Sequence, residues 1–400
     1  MEPGTPAAPD AFHLLDATMF WNPSGGVRRY IGAKRRWALQ HTGGRHTVAT
    51  PAPDGSAMLR VPSLPLPGSA GAYRLPWRRR ATAALLCGVA PDLIESADPY
   101  RLAWSALDAA HALGVPAVAF CHSDIVQLAQ AGGGRVAARL ARRYAVHLYN
   151  RFDRVFAPSL AMAAQLADWG VHGVVHQPLG VDTRVFHPSR ASANCRHALG
   201  LPQGARVLVY AGRFAPEKNL PVLERAVERL GPRYWLLAVG AGPVVPSGPR
   251  TLVRRTVLDP TTLATLLASC DAFVHAGAHE TFGLSVLEAL ACGVPVVARA
   301  AGGLAERVDE SVGAAVRSAD ANTFADAFAD AVTSVFERDR DALRRAARAR
   351  AEANDWSQVL PPLWAHYRAL LRGAATHARP DGPLLRSSAA AAMAAPSTEP

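Results

Sequence analysis

Short apolar runs alternate with longer amphipathic stretches along this chain, and the alternation occurs twice. In the first array Phe12-His13-Leu14-Leu15 reads as a strand, and a helix follows over about 27–41 with Ile31, Ala38 and Leu39 among its apolar positions. Thr47-Val48-Ala49 is a second strand, and residues 51–80, rich in Pro, Gly and Arg, predict an irregular surface excursion. Asp92-Leu93-Ile94-Glu95 reads as a strand end, 102–113 as a helix and 115–120 as a buried strand. A basic helix is expected over 135–154, with Val136, Leu140, Tyr144, Ala145 and Leu148 as its apolar stripe. Strands at 154–157 and 174–176 enclose a helix that runs to about Trp169 and has Ser159 as its N-cap.

Residues 178–188 form a hinge, and the alternation restarts at Arg206-Val207-Leu208-Val209-Tyr210. Strands at 234–239 and 251–253 and helices over 219–230 and 261–268 follow. The run 272–298 then packs a strand, a loop, a helix starting near Ser285 and a further strand into one crossover, the unit of a parallel sheet. Helices over 321–336 and 338–354 come next, and a terminal helix over 356–371 starts at Trp356-Ser357. Two such arrays predict two doubly wound α/β domains facing a cleft, over 11–190 and 191–355. Residues 1–10 and the Ala/Ser/Pro-rich 372–400 are expected to be disordered.

Composition narrows the function. With 400 residues, half of them hydrophobic, the chain can fill two cores. It has no run of eighteen apolar residues and no signal-peptide pattern, so a cytoplasmic protein is expected. Five cysteines without paired spacing suggest neither disulfides nor a zinc site. The net charge is +11, concentrated before residue 196, where 20 basic residues face 12 acidic ones. That half suits an anionic partner such as a membrane face or a phosphorylated substrate; aromatic interleaving is too poor to expect nucleic-acid binding. Arginine is used almost throughout and the only lysines are Lys34 and Lys218; the survival of Lys218 suggests a position that needs a compact ammonium.

Candidate chemistry gathers at strand ends. Glu280 and Glu288 flank a loop, Thr281-Phe282-Gly283-Leu284, whose backbone N–H groups at a helix start suit an anion. The two carboxylates could clamp hydroxyls, act as an acid/base pair, or simply be solvated. Gly25-Gly26 lets a backbone approach a ligand closely, His122 ends a strand, and Arg213 with Lys218 suits a diphosphate. Gly240-Ala241-Gly242-Pro243 fails as a nicotinamide-cofactor loop, and no P-loop or zinc spacing occurs.

These residues match a family. Glu280 and Glu288 within Glu-Thr-Phe-Gly-Leu, together with Gly-Arg-Phe-Ala-Pro-Glu-Lys-Asn over 212–219, resemble the retaining GT-B glycosyltransferases, in particular glycosyltransferase family 4. Ser24-Gly25-Gly26-Val27, the hinge and Trp356-Ser357 extend the resemblance over 12–371, apart from 51–80. It implies the GT-B fold, with the last helix crossing back to the first domain. It implies that Gly25 and Gly26 admit the diphosphate of a nucleotide sugar, which Arg213 and Lys218 neutralise. Glu280 would bind hydroxyls of the transferred sugar, the amides of Phe282, Gly283 and Leu284 would reach sugar and phosphate, and Glu288 would hold the ribose. Thr281 belongs to the same loop, His122 would lie near the sugar, and Asp124 would stand on the acceptor side. The family works with retention, and its nucleotide sugar is a co-substrate, with no metal or other cofactor expected. The partners implied are a UDP- or GDP-sugar and an acceptor hydroxyl, lipid-linked or phosphorylated. A non-catalytic nucleotide-sugar-binding protein is the alternative.

Overall fold

The computed structural model describes residues 11–21, 25–51, 59–65, 74–317 and 323–377. The first array folds as β1 (His13–Ala17), α1 (Gly26–His41), β2 (Arg45–Thr50), β3 (Leu59–Arg60), β4 (Leu64–Pro65), β5 (Arg74–Leu75), α2 (Arg79–Cys87), β6 (Leu93–Ser96), α3 (Arg101–Leu113), β7 (Ala117–Phe120), α4 (Ile125–Tyr149), β8 (Arg154–Ala157), α5 (Leu160–Trp169) and β9 (Val174–His176). Seven of these strands form a parallel sheet in the order β3-β2-β1-β6-β7-β8-β9, and β4 and β5 make a separate antiparallel pair. The second array is α6 (Ala193–His197), β10 (Arg206–Ala211), α7 (Leu220–Leu230), β11 (Tyr234–Val239), β12 (Thr251–Arg254), α8 (Pro260–Ala268), β13 (Ala272–His275), α9 (Leu284–Ala291), β14 (Val296–Arg299), β15 (Gly313–Val316), α10 (Phe324–Glu337) and α11 (Arg340–Glu352). Its parallel sheet runs β12-β11-β10-β13-β14-β15. Strand order reverses beside β1 and again beside β10, and ligands of open α/β sheets bind at the carboxyl ends of such switch points.

Local patterns explain the elements. The central strands are buried on both faces, so they read as continuous apolar runs rather than alternating ones. In α7, Leu220, Leu223, Ala226 and Val227 repeat at helical spacing and are all buried. In α9, Val286, Leu287 and Leu290 are fully buried, each such side chain contributing about 1.5–3 kcal/mol.

The hinge consists of two adjacent crossings. Val181 pairs with Asp355 in a parallel bridge, and the Val181 N–H donates to the Asn354 carbonyl at 3.0 Å. Asp355 also accepts from the Thr183 hydroxyl at 2.7 Å. From there α12 (Trp356–His377) returns to the first half, where Trp364 and Tyr367 are buried against Phe12, Trp37 and Phe156. Beneath that helix lies a buried ionic network. Lys34 donates to Asp16 at 2.7 Å and to Glu95 at 2.6 Å; His46 bonds Asp16 at 2.5 Å; Tyr367 donates to Glu95.

Several expectations need correction. The helix expected over 135–154 begins ten residues earlier, because the Asp124 carboxylate caps the N–H groups of Val126 and Gln127. It passes a kink at Gly134 and ends at Tyr149. Only the C-terminal part of its proposed apolar stripe is buried: Val136 and Leu140 are 74% and 60% exposed. The 51–80 segment is not wholly irregular, since it supplies β3, β4, β5 and the start of α2. Helix α2 and strand β15 were not anticipated; β15 opens on glycine and is too short to stand out as a pattern. The terminal helix extends six residues past Leu371, through part of the stretch expected to be disordered. Residues 1–10 and 378–400 lie outside the described residues.

Candidate active site

Two strand ends of the second half carry the charged groups. Strand β10 ends at Ala211, and a single 3-10 turn, Pro216–Lys218, follows and delivers Lys218. Gly240 and Gly242 sit so close to this loop that a Cβ would lie 1.8 Å from the Gly212 carbonyl oxygen and 2.1 Å from that of Phe214. That close approach, not cofactor binding, accounts for the Gly-Ala-Gly run. Strand β13 ends at His275, and α9 starts beyond Gly283, whose φ of 86° is open to glycine at little cost. The Phe282 side chain is core, with the Arg307 guanidinium 4.0 Å from its ring centre. The Glu280 carbonyl accepts from the Gly303 N–H at 2.8 Å. The loop is thus anchored by side chain and carbonyl. Among the described residues the N–H groups of Phe282, Gly283 and Leu284 donate no backbone hydrogen bond, as expected where a helix begins.

Lys218 and His275 converge on one oxygen of Glu280, the Lys218 ammonium by an ion pair and His275 Nε2 at 3.1 Å. Burial by itself would raise the Glu280 carboxyl; the Lys218 charge and the His275 hydrogen bond outweigh it and hold the group well below the usual carboxylate range. Glu280 is therefore an ionised acceptor. Lys218 has three donors, so it can bond Glu280 and still reach an anion. Arg213 pairs with Glu217 and stays largely exposed.

The first half supplies the facing wall. Gly25 caps α1, and a Cβ on Gly26 would lie 3.7 Å from the Leu284 side chain, so the glycine turn packs directly on the 281–284 loop. His122 is stacked 4.3 Å from Phe120 and lies tilted against Tyr30 at 5.0 Å. Burial, reinforced by the Lys34 charge, pushes its imidazole down to about 3, so the ring is neutral at neutral pH. Its Nε2 is buried without a partner among the described residues. Hydrogen bonds also join the halves. The Thr281 hydroxyl donates to the His122 carbonyl at 3.0 Å, Glu306 accepts from the Leu160 and Ala161 N–H groups at 3.0 and 2.7 Å, and Arg29 bonds Glu288.

The structure therefore gathers Gly25, Gly26, His122, Lys218, Glu280, Glu288 and the 281–284 loop at one interface between the halves. Asp124 has structural partners as well: one carboxylate oxygen caps α4 and the other accepts from Gln165 at 2.8 Å. His275 and Arg29 were missed in the sequence. His275 could have been found as the last residue of the strand that feeds Glu280, and Arg29 as a cation one turn past Gly25-Gly26.

Comparison with known proteins accords with this arrangement. The Glycosyltransferase Family 4 profile matches residues 24–185, and the Glycosyl transferases group 1 profile matches residues 205–334. A GDP-mannose-dependent alpha-mannosyltransferase of Mycolicibacterium smegmatis is 36% identical over 329 residues, covering 80% of this chain and 84% of the relative. The chain belongs to the group 1 glycosyltransferases of family 4. A more distant relative, 28% identical over 86% of this chain and 93% of its own length, is a GDP-mannose-dependent alpha-(1-6)-phosphatidylinositol dimannoside mannosyltransferase of Mycobacterium tuberculosis. Among solved structures, Anabaena HepE with UDP and glucose superposes with a TM-score of 0.69 at 21% identity over 90% of this chain and all of that one. Sucrose-phosphate synthase from Thermosynechococcus elongatus reaches 0.72 at 20% identity with the same coverage. These neighbours place the glycosyltransferase in the GT-B fold.

Proposed function

We propose that this glycosyltransferase moves a mannosyl group from GDP-mannose to an acceptor hydroxyl with retention, forming an α-glycoside. The observation that carries the reading is the convergence of Lys218 and His275 on Glu280, next to the 281–284 loop and facing Gly26 and His122. The choice of donor rests on the GDP-mannose dependence of the mycobacterial relatives.

In this mechanism the donor's C1–O bond breaks, and positive charge develops at the sugar while negative charge develops on the leaving diphosphate. Lys218, joined by Arg213 once it leaves Glu217, neutralises the phosphate, and the amides of the 281–284 loop add preorganised donors. Glu280 and the neutral His122 hold sugar hydroxyls. The acceptor oxygen attacks C1 from the face the phosphate leaves, and its proton passes to a phosphate oxygen, giving the α-glycoside and GDP. The cations and amides do the work a metal would otherwise do, so turnover should survive EDTA. A covalent sugar adduct on Glu280 would replace this account.

The acceptor side is proposed to meet an anionic membrane. Trp77, Leu128, Val136 and Leu140 are 49–74% exposed on the first half, and Arg78, Arg79, Arg80, Arg135, Arg139, Arg142 and Arg143 are exposed beside them in sequence. No described helix is long and apolar enough to cross a membrane. A lipid-linked acceptor fits such a face.

Thermal-shift measurements with GDP-mannose, UDP-glucose and ADP-glucose test the donor. A ligand at a hundred times its Kd adds about 2.7 kcal/mol. Stabilisation by UDP-glucose or ADP-glucose but not GDP-mannose overturns the donor assignment, and a β-linked product in the NMR spectrum overturns retention.

A further inference from the structure

Helices α1 and α9 belong to opposite halves, and their first turns run alongside each other. Gly26 meets Leu284, and one turn further on Arg29 meets Glu288. Glu288 is 2% exposed. Its two oxygens differ: Arg29 donates to Oε1, whereas Oε2 is buried with no partner among the described residues. A buried carboxylate oxygen left without a donor is costly, so such an atom marks a place where a ligand's donor completes the site.

We propose that Arg29 is a positioning residue supplied across the domain interface, holding the Glu288 carboxylate so that Oε2 accepts a ribose hydroxyl only when the two halves are together. This rests on the reading of the site as a nucleotide-sugar site and adds to it a cross-domain coupling between closure and nucleotide recognition.

Two observations support the assignment. Burial pushes the Glu288 carboxyl up, and the Arg29 charge and hydrogen bond oppose that rise, so Arg29 favours the ionised, acceptor-only form. Arg29 is also held in register. Tyr30 beside it packs 4.7 Å from Phe120, and Lys34, just over a turn onward, is bound to Asp16 and Glu95. The helix therefore has little freedom to slide, and the reach of Arg29 toward Glu288 is set by the first half's own core.

Titration calorimetry on the full chain with GDP and 2′,3′-dideoxy-GDP tests the proposal. Wild type should prefer GDP by at least tenfold. Arg29→Gln should weaken GDP at least tenfold while leaving dideoxy-GDP within about threefold, so that the preference collapses. Arg29→Lys should restore part of it, because a cation returns to Oε1 without the planar fork. A merely structural role would weaken both nucleotides alike, and that outcome overturns the proposal. So does an Arg29→Gln variant that keeps the full preference for GDP. If wild type itself does not distinguish the two nucleotides, the ribose reading of Glu288 fails, and this proposal fails with it. If wild type binds neither nucleotide while another nucleoside diphosphate binds, the donor assignment alone fails, and the ribose and dideoxyribose forms of that nucleotide replace the pair. Small-angle scattering of the ligand-free variant supplies a second readout: Arg29→Gln should increase the radius of gyration, and an unchanged radius removes the coupling to closure.

Discussion

Replacing Lys218 by alanine removes the one lysine at the site, and the geometry sets the size of the effect. The ammonium pairs with Glu280 and the side chain is 14% exposed, so solvent screens it only in part. At an effective dielectric constant of about 20, a unit charge roughly 4 Å away is worth on the order of 4 kcal/mol. That agrees with the roughly 2.7–4 kcal/mol lost when a preorganised transition-state donor is deleted. Turnover should therefore fall about 10²–10³-fold. The loss should appear mainly in kcat, because the charge on the leaving phosphate grows as C1–O breaks. Lys218→Arg should not restore the rate, since a planar fork cannot replace a compact ammonium shared between Glu280 and a phosphate. The assay is GDP release from GDP-mannose, with GDP affinity measured in parallel to show that the variant still folds and binds. Acid stability adds an independent readout. The depressed Glu280 group stabilises the wild type above the ordinary carboxylate pKa of about 4.3, and that contribution is lost as pH falls below it. Losing Lys218 removes the main lowering influence, so the variant should lose less stability than the wild type as pH falls below about 4.3. Turnover within tenfold of wild type would refute the assignment.

Three further outcomes are expected. Lys34→Met should destabilise the protein by about 3–5 kcal/mol at neutral pH in urea unfolding, because Asp16 and Glu95 lose the buried cation between them. Lys34 opposes the effect of burial and keeps the Asp16 group depressed, so the deficit should shrink in acid as the carboxyls protonate; a deficit that grows in acid would contradict this. Gly303→Ala places a Cβ 2.7 Å from Phe282 Cα and from the Thr281 carbonyl oxygen, so the anion loop must shift. Overpacking of roughly 1–3 kcal/mol and at least a tenfold weaker GDP affinity are expected, and an unchanged Kd by calorimetry would show that the loop does not face the nucleotide. The His122 ring, held down to about 3, should show no titration between pH 5 and 8 in nitrogen-detected NMR. Its lowered value makes stability complete above about 6.5 and declining as pH falls, since only the unfolded chain takes up the proton.

How far the sequence could be read depended on whether a feature was local. The loop 281–284, the glycine pair and Lys218 were visible because strand ends, helix starts and turn glycines leave short-range marks. Helix α4 was expected to start at Arg135, whereas the Asp124 cap starts it at Ile125 and the chain carries it through the three consecutive glycines, 132–134, with a kink at Gly134. Asp124 was given an acceptor-side role by the family resemblance alone, and its capping role was not read from the sequence. Its bonds to Val126, Gln127 and Gln165 show that role.

Lys34 shows the same division. No pattern along the chain could pair it with Asp16 and Glu95, 18 and 61 residues away. The sequence by itself determined two doubly wound halves, the hinge and the residue types that face the cleft, because periodicity and turn chemistry act over a few residues. Tertiary structure alone decided which charges meet: Lys218 with His275 on Glu280, and Arg29 on Glu288 across 259 residues of chain. Ion pairing and desolvation depend on distance in space and on burial, and both are settled only when the two halves pack against each other.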